Sequence, residues 1–283
     1  MRFATIFERD QPHLPRAVVV DGDRFLASEL PFHWPPSMRD LAGLEADLLE
    51  VLQGRLTHYP AEEWRDLLEV TLAPAVPDPG AIYTVGLNYD GPGAAPRSER
   101  PLIYGKAPNS VGAHRAILTW DRSVTANVDS EVELGVVIGE PAWRVEPEDA
   151  MRHVFGYTVI NDVSSRDPWL DGDQWLVGKS MPGFCPVGPW VVTRDELDVD
   201  DLRLGCTING VAIQDGRTSQ MSFSIPEVVA YLSRHVRLEA GDLIATGTPA
   251  RLTTPPGPER HLEEGDVVTV WIDGIGELTT TIA

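Results

Sequence analysis

The chain is poor in cysteine, with only Cys185 and Cys206 among its 283 residues. Their spacing fits neither a zinc-binding pattern nor a disulfide framework, so neither is expected to hold the fold together. The sequence also has no run that approaches the roughly 20 apolar residues a membrane helix needs. Charged residues interrupt the N-terminal segment where a signal peptide would be apolar. We therefore expect a cytoplasmic protein that does not enter a membrane.

Basic residues are also scarce, with 23 Lys and Arg against 43 Asp and Glu and a formal net charge of −20. Because such a chain repels nucleic-acid phosphates, we expect no nucleic-acid partner. An anionic small molecule would have to be neutralised locally. A bound cation, together with one or two placed Lys or Arg side chains, would do so.

Several catalytic motifs are absent. The chain has no Gly-x-Ser-x-Gly turn for a hydrolase nucleophile and no His-Glu-x-x-His helix for zinc. No Gly-x-Gly-x-x-Gly turn opens a helix, which argues against a nicotinamide or flavin enzyme. The chemistry of the protein must therefore come from other groups.

What the chain does have is a segment, 128–139, in which alternating acids give way to an apolar run. Alternate side chains of a β-strand point to opposite faces, so Asp129, Glu131 and Glu133 share one face. Carboxylates gathered beside a buried strand predict an all-oxygen site for a hard divalent cation. A half-buried strand whose acidic face is only hydrated shows the same alternation, so this pattern alone leaves both interpretations open.

The sequence predicts two parts. Residues 1–75 predict a small N-terminal α+β domain of short strands, with apolar residues at helical spacing in 38–52. Prolines then interrupt the chain, and residues 76–283 predict a mostly β catalytic domain. Within that domain, the Gly- and Pro-rich segment 86–101 is either a surface connection or a lid over a site.

An ordered set of motifs after residue 80 resembles the fumarylacetoacetate hydrolase (FAH) family. These motifs are Gly86-Leu-Asn-Tyr, the segment 129–139, Gly156-Tyr-x-x-x-Asn-Asp-x-x-x-Arg-Asp, Lys179, and Gly241-Asp-Leu-Ile-x-Thr-Gly-Thr-Pro. The resemblance implies a catalytic domain of rolled mixed β-sheets, a homodimer, and Mg²⁺ or Mn²⁺ as cofactor. It further implies that the substrate is a small 2-oxo or β-dicarbonyl carboxylic acid.

The same resemblance implies the residues of the site. Glu131, Glu133 and Asp162 would bind the metal ion, which would stabilise an enolate. Lys179 and Arg166 would supply positive charge to the substrate, and Thr248 a hydroxyl and a backbone N–H. The candidate substrate-binding residues are Tyr89, Trp169, Arg251 and His114.

The chain also departs from the family pattern. Hydrolytic members have a His and a Glu that activate water, and the matching positions here are Pro92 and Ala95. Trp169 stands where many members have Gln, and Arg251 stands where Gly is common, which predicts an altered substrate. Without the water-activating pair, decarboxylation or keto–enol tautomerisation is the leading hypothesis.

Two alternatives stay open. One is hydrolysis of a C–C bond in an acylpyruvate-type substrate, with the base relocated to Glu99, Asp90 or His114. The other is a family member that binds a metabolite without catalysis. Metal-dependent turnover would separate an enzyme from a binding protein.

Overall fold

The computed structural model describes residues 1–8, 11–26, 37–44, 46–56, 58–91, 97–167, 174–252 and 260–283. The first strands in chain order are β1 (Arg2–Glu8), β2 (Gln11–Asp21), β3 (Arg24–Leu26), β4 (Trp64–Asp66), β5 (Thr71–Leu72), β6 (Ile82–Gly86), β7 (Leu102–Lys106), β8 (Val111–Gly112), β9 (Ala116–Leu118) and β10 (Val128–Asp129). They are followed by β11 (Val132–Ile138), β12 (Val154–Asn161), β13 (Ser164–Ser165), β14 (Cys185–Thr193), β15 (Arg203–Ile208), β16 (Val211–Arg217), β17 (Leu243–Ala245), β18 (Val267–Ile272) and β19 (Gly276–Ile282).

The α-helices of the described residues are short. They are α1 (Met38–Ala42), α2 (Ala46–Leu56), α3 (Pro147–Ala150), α4 (Trp175–Lys179) and α5 (Ile225–His235). The helical pattern in 38–52 therefore forms two helices, because α1 ends at Gly43, whose N–H caps the carbonyls of Arg39 and Leu41. Within the described residues, no helix combines the length and apolar character needed to span a bilayer.

Two large sheets form the body of the molecule. The first has the strand order β4-β3-β2-β1-β14-β12-β11-β17-β6-β7, with β5 and β8 pairing at β1 and β14. The second has the order β16-β15-β18-β19-β9. Every residue of β11 and β12 is buried, as expected for apolar runs in the middle of a sheet. The predicted mostly β, α+β character of the chain is confirmed.

The two sheets pack against each other through one apolar core. Leu134 of β11 and Val159 of β12 belong to the same buried cluster as Leu204 of β15 and Val270 of β18. Burying large aliphatic side chains contributes roughly 1.5–3 kcal/mol each, so this core holds β11 and β12 rigidly. The acidic residues at the start of β11 and the end of β12 are therefore carried on a rigid support.

The N-terminal strands join the first sheet. Strand β1 pairs antiparallel with β14, with Phe3 opposite Val191. Hydrogen bonds of the backbone thus connect the first part of the chain directly to the part that carries the acidic residues. The division into domains 1–75 and 76–283 stays a prediction.

Candidate active site

A cavity of about 260 Å³ opens where β6 and β12 end and β11 begins. Its lining combines carboxylates, cationic side chains and aromatic rings: Thr84, Val85, Gly86, Leu87, Tyr89, Tyr104, Glu131, Glu133, Asp162, Arg166, Trp175, Lys179, Gln214, Thr248, Pro249, Ala250 and Arg251. Most of the residues predicted from the sequence for the site therefore meet in one place.

Three carboxylates converge on this cavity. Glu131 precedes β11, Glu133 lies within it, and Asp162 follows β12, whose pairing with β11 brings the acids together. One ligand oxygen from each lies within 4.8 Å of the others. An all-oxygen set of this kind suits a hard divalent cation. The oxygens of the three predicted metal ligands are thus close enough together to share one cation.

The pKa of Glu133 supports the fit of these residues to a cation. Burial, followed by the charges of Asp162 and Glu131, raises the pKa of Glu133 well above its ordinary value. The Glu133 carboxylate also accepts a hydrogen bond from Gly247 N, at 2.7 Å, which fixes its orientation. A carboxylate crowded in this way is stabilised as an anion when a cation binds beside it.

Glycine is required at position 247 because the backbone there passes close to Asn88 and to the Val85 carbonyl group. Its φ of +97° lies in the region that favours glycine. A Cβ at this position would lie 2.8 Å from Asn88 Cβ and 2.9 Å from the Val85 carbonyl oxygen. Glycine therefore allows the backbone N–H to reach Glu133.

Two lysines bind Asp162 from opposite sides. Lys179 Nζ donates to Asp162 Oδ2 at 2.5 Å and to Glu131 Oε2 at 3.1 Å. Lys106 Nζ donates to Asp162 Oδ1 at 2.6 Å and to the Val163 carbonyl oxygen at 3.1 Å. Burial would raise the pKa of Asp162, but the two ammonium groups outweigh it and lower that pKa to about 2. Asp162 is therefore held as an anion.

Sequence reasoning missed Lys106. It is fully buried and does not line the cavity, so it acts on the site through Asp162. A signal was available, because the chain contains only two lysines, Lys106 and Lys179, among its 23 basic residues. Both contact Asp162, where a compact ammonium group fits and a planar guanidinium does not fit equally well.

Arg166 lies beside the acids, as predicted. Its guanidinium forms an ion pair with Glu131 and another, at 3.3 Å, with Asp129 Oδ2. The pairing of β10 with β13 places Asp129 opposite Ser164 and so brings Arg166 to the same end of the cavity. Asp129 also contacts Arg251 Nη1 at 2.8 Å and His261 Nδ1 at 2.9 Å. His261 was not identified from the sequence, because it lies 132 positions from its partner.

Thr248 is held by a glutamine that the sequence did not reveal. Gln214 Nε2 donates to Thr248 Oγ1 at 2.8 Å and to the Pro249 carbonyl oxygen at 2.7 Å. Its side-chain oxygen accepts from Val132 N at 3.0 Å. Gln214 thus connects the turn after β17 to the start of β11.

Several polar atoms in the cavity wall have no hydrogen-bond partner within the described residues. They are Thr84 Oγ1, Tyr89 OH and Arg251 Nη1, each of them buried. Burial, with a further contribution from Glu133, raises the pKa of Tyr89, so its hydroxyl stays protonated. Because a buried polar group without a partner costs about 1–3 kcal/mol, a ligand with complementary polar atoms would be stabilised here.

One predicted substrate-binding residue is not in the cavity. His114 lines a separate groove, where its Nδ1 accepts a hydrogen bond from Thr279 N at 3.2 Å. The sequence placed it near the acidic strand only by its position in a turn. The alternative bases Asp90 and Glu99 do not line the cavity either. Trp169, Pro92 and Ala95 lie outside the described residues.

Comparisons with known proteins agree with this geometry. Residues 81–283 match the sequence model described as fumarylacetoacetate (FAA) hydrolase, C-terminal. The chain belongs to the fumarylacetoacetate hydrolase family. It is 39% identical over 223 residues to the oxaloacetate tautomerase YisK of Bacillus subtilis (strain 168), covering 76% of this chain and 74% of that protein. The predicted family is confirmed.

Solved structures of the family share the fold. A fumarylacetoacetate hydrolase from Exiguobacterium antarcticum superposes with a TM-score of 0.82 at 31% identity, over 100% of this chain and 99% of that one. A maleylpyruvate hydrolase from Sphingobium sp. SYK-6, solved with manganese(II) and pyruvate, gives a TM-score of 0.79 at 26% identity, over 100% and 99% of the two chains. The FAH-type fold predicted from the sequence is confirmed.

Proposed function

We propose that this protein is a divalent-metal-dependent enzyme that catalyses keto–enol tautomerisation of a short 2-oxo acid. The observation that carries the proposal is the convergence of Glu131, Glu133 and Asp162 with Lys179 in one cavity. The similarity to an oxaloacetate tautomerase at 39% identity favours this reaction within the family. Oxaloacetate is therefore the first substrate to test.

Glu131, Glu133 and Asp162 would hold Mg²⁺ or Mn²⁺, since both ions prefer carboxylate oxygens. When bound, the cation supplies Lewis-acid stabilisation for negative charge on the 2-oxo oxygen of the substrate. Asp162 is kept ionised by its two lysines, and Glu133 is oriented by Gly247. The protein thereby presents ligands that are already arranged for a metal ion.

The cationic side chains of the cavity would hold the substrate and its developing charge. Lys179 reaches Glu131 and Asp162, so its ammonium group lies beside the metal ligands, where the reacting oxygen would be. Arg166, which is about one quarter exposed, lies next to Glu131 and would bind the substrate carboxylate. Tyr89 offers a neutral hydroxyl that would donate a hydrogen bond to the substrate oxygen.

Hydrolysis is the second candidate reaction, favoured by the likeness to a maleylpyruvate hydrolase at 26% identity. It needs a base to activate water, and general-base assistance is typically worth 10²–10⁴-fold. Among the described residues that line the cavity there is no histidine. Tautomerisation and decarboxylation need stabilisation of the enolate and a proton transfer but no activated water, so we place them before hydrolysis.

The test is the conversion of enol-oxaloacetate to its keto form, followed by the fall in ultraviolet absorbance with and without Mg²⁺ or Mn²⁺. We expect metal-dependent acceleration by the wild-type protein, reduced about 10²- to 10³-fold in Lys179→Met, the size of one preorganised electrostatic contact. Arg234→Gln, which changes an exposed arginine paired with Glu146, is the control and should behave as wild type.

Parallel measurement of pyruvate separates the competing activities. Formation of pyruvate at a comparable metal-dependent rate would identify decarboxylation, rather than tautomerisation, as the reaction that the protein catalyses. Metal and oxo-acid binding without any conversion would instead identify a non-catalytic binding protein. We also propose a homodimer on the basis of the family resemblance, which sedimentation of the purified protein tests.

A further inference from the structure

Arg251 is placed in the cavity by the backbone on both sides of it. Its backbone bridges to Gln214 of β16, and Leu252 N donates to the Ile213 carbonyl oxygen at 2.8 Å. The side chain is about one quarter exposed and lines the cavity wall. The guanidinium group is therefore held at the wall of the cavity.

The Arg251 guanidinium has donor capacity left for a ligand. Its Nη2 donates to the Arg260 carbonyl oxygen at 3.2 Å. Its buried Nη1 lies 2.8 Å from Asp129 Oδ1, close enough for an ion pair but without the direction of a hydrogen bond. Asp129 also divides its charge among Arg166 and His261. Asp129 is thus shared by two guanidinium groups, so it does not occupy all the donors of Arg251.

The charges of the whole site balance only with a doubly charged ligand. Four cationic side chains and three carboxylates are connected by ion pairs, and Glu133 joins them as the fourth carboxylate through its contact with Glu131 and Asp162; the connected residues are Asp129, Glu131, Asp162, Lys106, Lys179, Arg166 and Arg251. A divalent cation would bring this set to two positive charges, with His261 counted as neutral. A dicarboxylate neutralises both charges, whereas a monocarboxylate leaves one uncompensated.

We propose that Arg251 is the specificity-determining residue for a dicarboxylic substrate and binds the carboxylate remote from the 2-oxo group. Asp129 is the positioning residue that holds the Arg251 guanidinium next to that of Arg166. This inference rests on the proposed function, because it takes the 2-oxo-acid end of the substrate to lie at Glu131, Glu133 and Asp162. A chain of ion pairs, from Glu131 through Arg166 and Asp129 to Arg251, links the residues that would hold the two ends of the substrate.

The test compares two ligands that differ only at the remote group: oxaloacetate and 2-oxobutanoate, in which a methyl group replaces the second carboxylate. Their dissociation constants are measured by calorimetry in Mg²⁺ for wild type, Arg251→Gln and Arg251→Lys. We expect the wild type to prefer oxaloacetate by about 10- to 100-fold, the range for a hydrogen bond to a charged group. The preference should vanish in Arg251→Gln and survive in part in Arg251→Lys. Arg237→Gln, an exposed arginine paired with Glu239, should keep it fully.

Oxalate distinguishes this inference from the proposed function. It chelates a metal ion but has no remote carboxylate, so its affinity should change less than about threefold in Arg251→Gln. Equal losses for oxalate, oxaloacetate and 2-oxobutanoate would overturn the inference, because Arg251 would then support the whole site. So would a wild-type protein that binds 2-oxobutanoate as tightly as oxaloacetate, a result that needs no variant. Absence of metal-dependent oxalate binding by wild type would instead overturn the proposed function.

Discussion

The candidate active site is smaller than another concave region of the molecule. The cavity at the acidic strand encloses about 260 Å³, whereas the groove around His114 and Trp190 holds about 670 Å³. Three carboxylates and three cationic side chains line the cavity, and three buried polar atoms in its wall have no hydrogen-bond partner among the described residues. Volume alone therefore does not identify a site in this fold. Converging charges and unpartnered polar atoms do.

Burial disfavours the charged form of an ionisable group in both regions, but the neighbouring charges differ between them. Asp162 in the cavity has two lysines as counter-charges, and its pKa falls to about 2 despite burial. His114 in the groove has the like-charged Arg115 beside it, and burial together with Arg115 lowers its pKa to about 4. The first group is held charged and the second neutral. Asp162 is thus held charged at the site of the proposed chemistry, whereas His114 is held neutral as the hydrogen-bond acceptor for Thr279 N.

The largest effect is expected when one carboxylate is removed from the cavity, which tests whether the cavity rather than the groove is the active site. Glu133→Gln should lower kcat/KM by at least about 10³-fold, because Lewis-acid stabilisation supplies several kcal/mol. In the absence of metal, the variant should be at least as stable as wild type, since the neutral amide relieves the repulsion that raises the pKa of Glu133. Turnover in the presence of Mg²⁺ checks the first statement, and thermal unfolding with and without Mg²⁺ checks the second.

The control for that experiment is Glu146→Gln, which neutralises an exposed glutamate. It should keep the wild-type activity and the wild-type response to metal. A Glu133→Gln protein that still gains stability from Mg²⁺ and still turns over would remove Glu133 from the metal site.

A smaller effect is expected from the buried lysine behind the cavity. Lys106→Met leaves Asp162 with Lys179 as its remaining ammonium partner. Breaking a buried ion pair destabilises by roughly 3–5 kcal/mol, so urea unfolding in a chelator should show a loss of about 3 kcal/mol. Lys106→Arg keeps the charge but not the compact shape and should recover only part of it. A loss within experimental error for Lys106→Met would show that Asp162 needs only Lys179.

The pH dependence of that variant follows from the sign of the Asp162 shift. An unfolded aspartate titrates near pH 3.9 and the folded one at about 2. The stability contributed by ionised Asp162 is therefore present above pH 4 and is lost as the pH falls toward 2. Removing Lys106 raises the folded pKa toward the unfolded value, so the acid loss due to Asp162 should be smaller in the variant and complete at a higher pH than in wild type.

Local patterns in the sequence predicted the ligands but not their partners. Alternation in one strand placed Glu131 and Glu133 on one face, and Asp162 followed from its position at a strand end. Lys106, by contrast, is 56 positions from Asp162, and only the packing of β7 brings the two together. Such contacts depend on the order in which strands pair in the sheet, and the residue pattern of a single strand does not reveal that order.

His114 lies outside the cavity for the same kind of reason that Lys106 was missed, and its role in substrate binding stays a prediction. Its place in the chain, 17 positions before Glu131, gave the impression of proximity. The chain between them instead passes through β9, which pairs with β19 in the second sheet and carries His114 away from the cavity. The prediction took closeness in the sequence as a sign of closeness in the fold, but the pairing of strands determines which residues meet.

The smallest expected effect concerns His114 itself. His114→Asn keeps an acceptor for Thr279 N but removes the titrating ring. Activity should equal that of wild type, because His114 does not line the cavity. An unfolded histidine titrates near 6.5 and the folded one at about 4, so wild-type stability is full above pH 6.5 and falls toward pH 4 as the unfolded chain takes up a proton.

The part of this acid loss due to His114 should be about 1 kcal/mol, allowing for its partial exposure, and should be absent from His114→Asn. Urea unfolding at pH 7 and pH 4.5 measures the difference between the two proteins. His235→Asn, an exposed histidine at the end of α5, is the control and should retain the wild-type pH dependence. A fall in the activity of His114→Asn at pH 7, with stability unchanged, would return His114 to the list of substrate-binding residues. It would also mean that the larger groove takes part in the reaction.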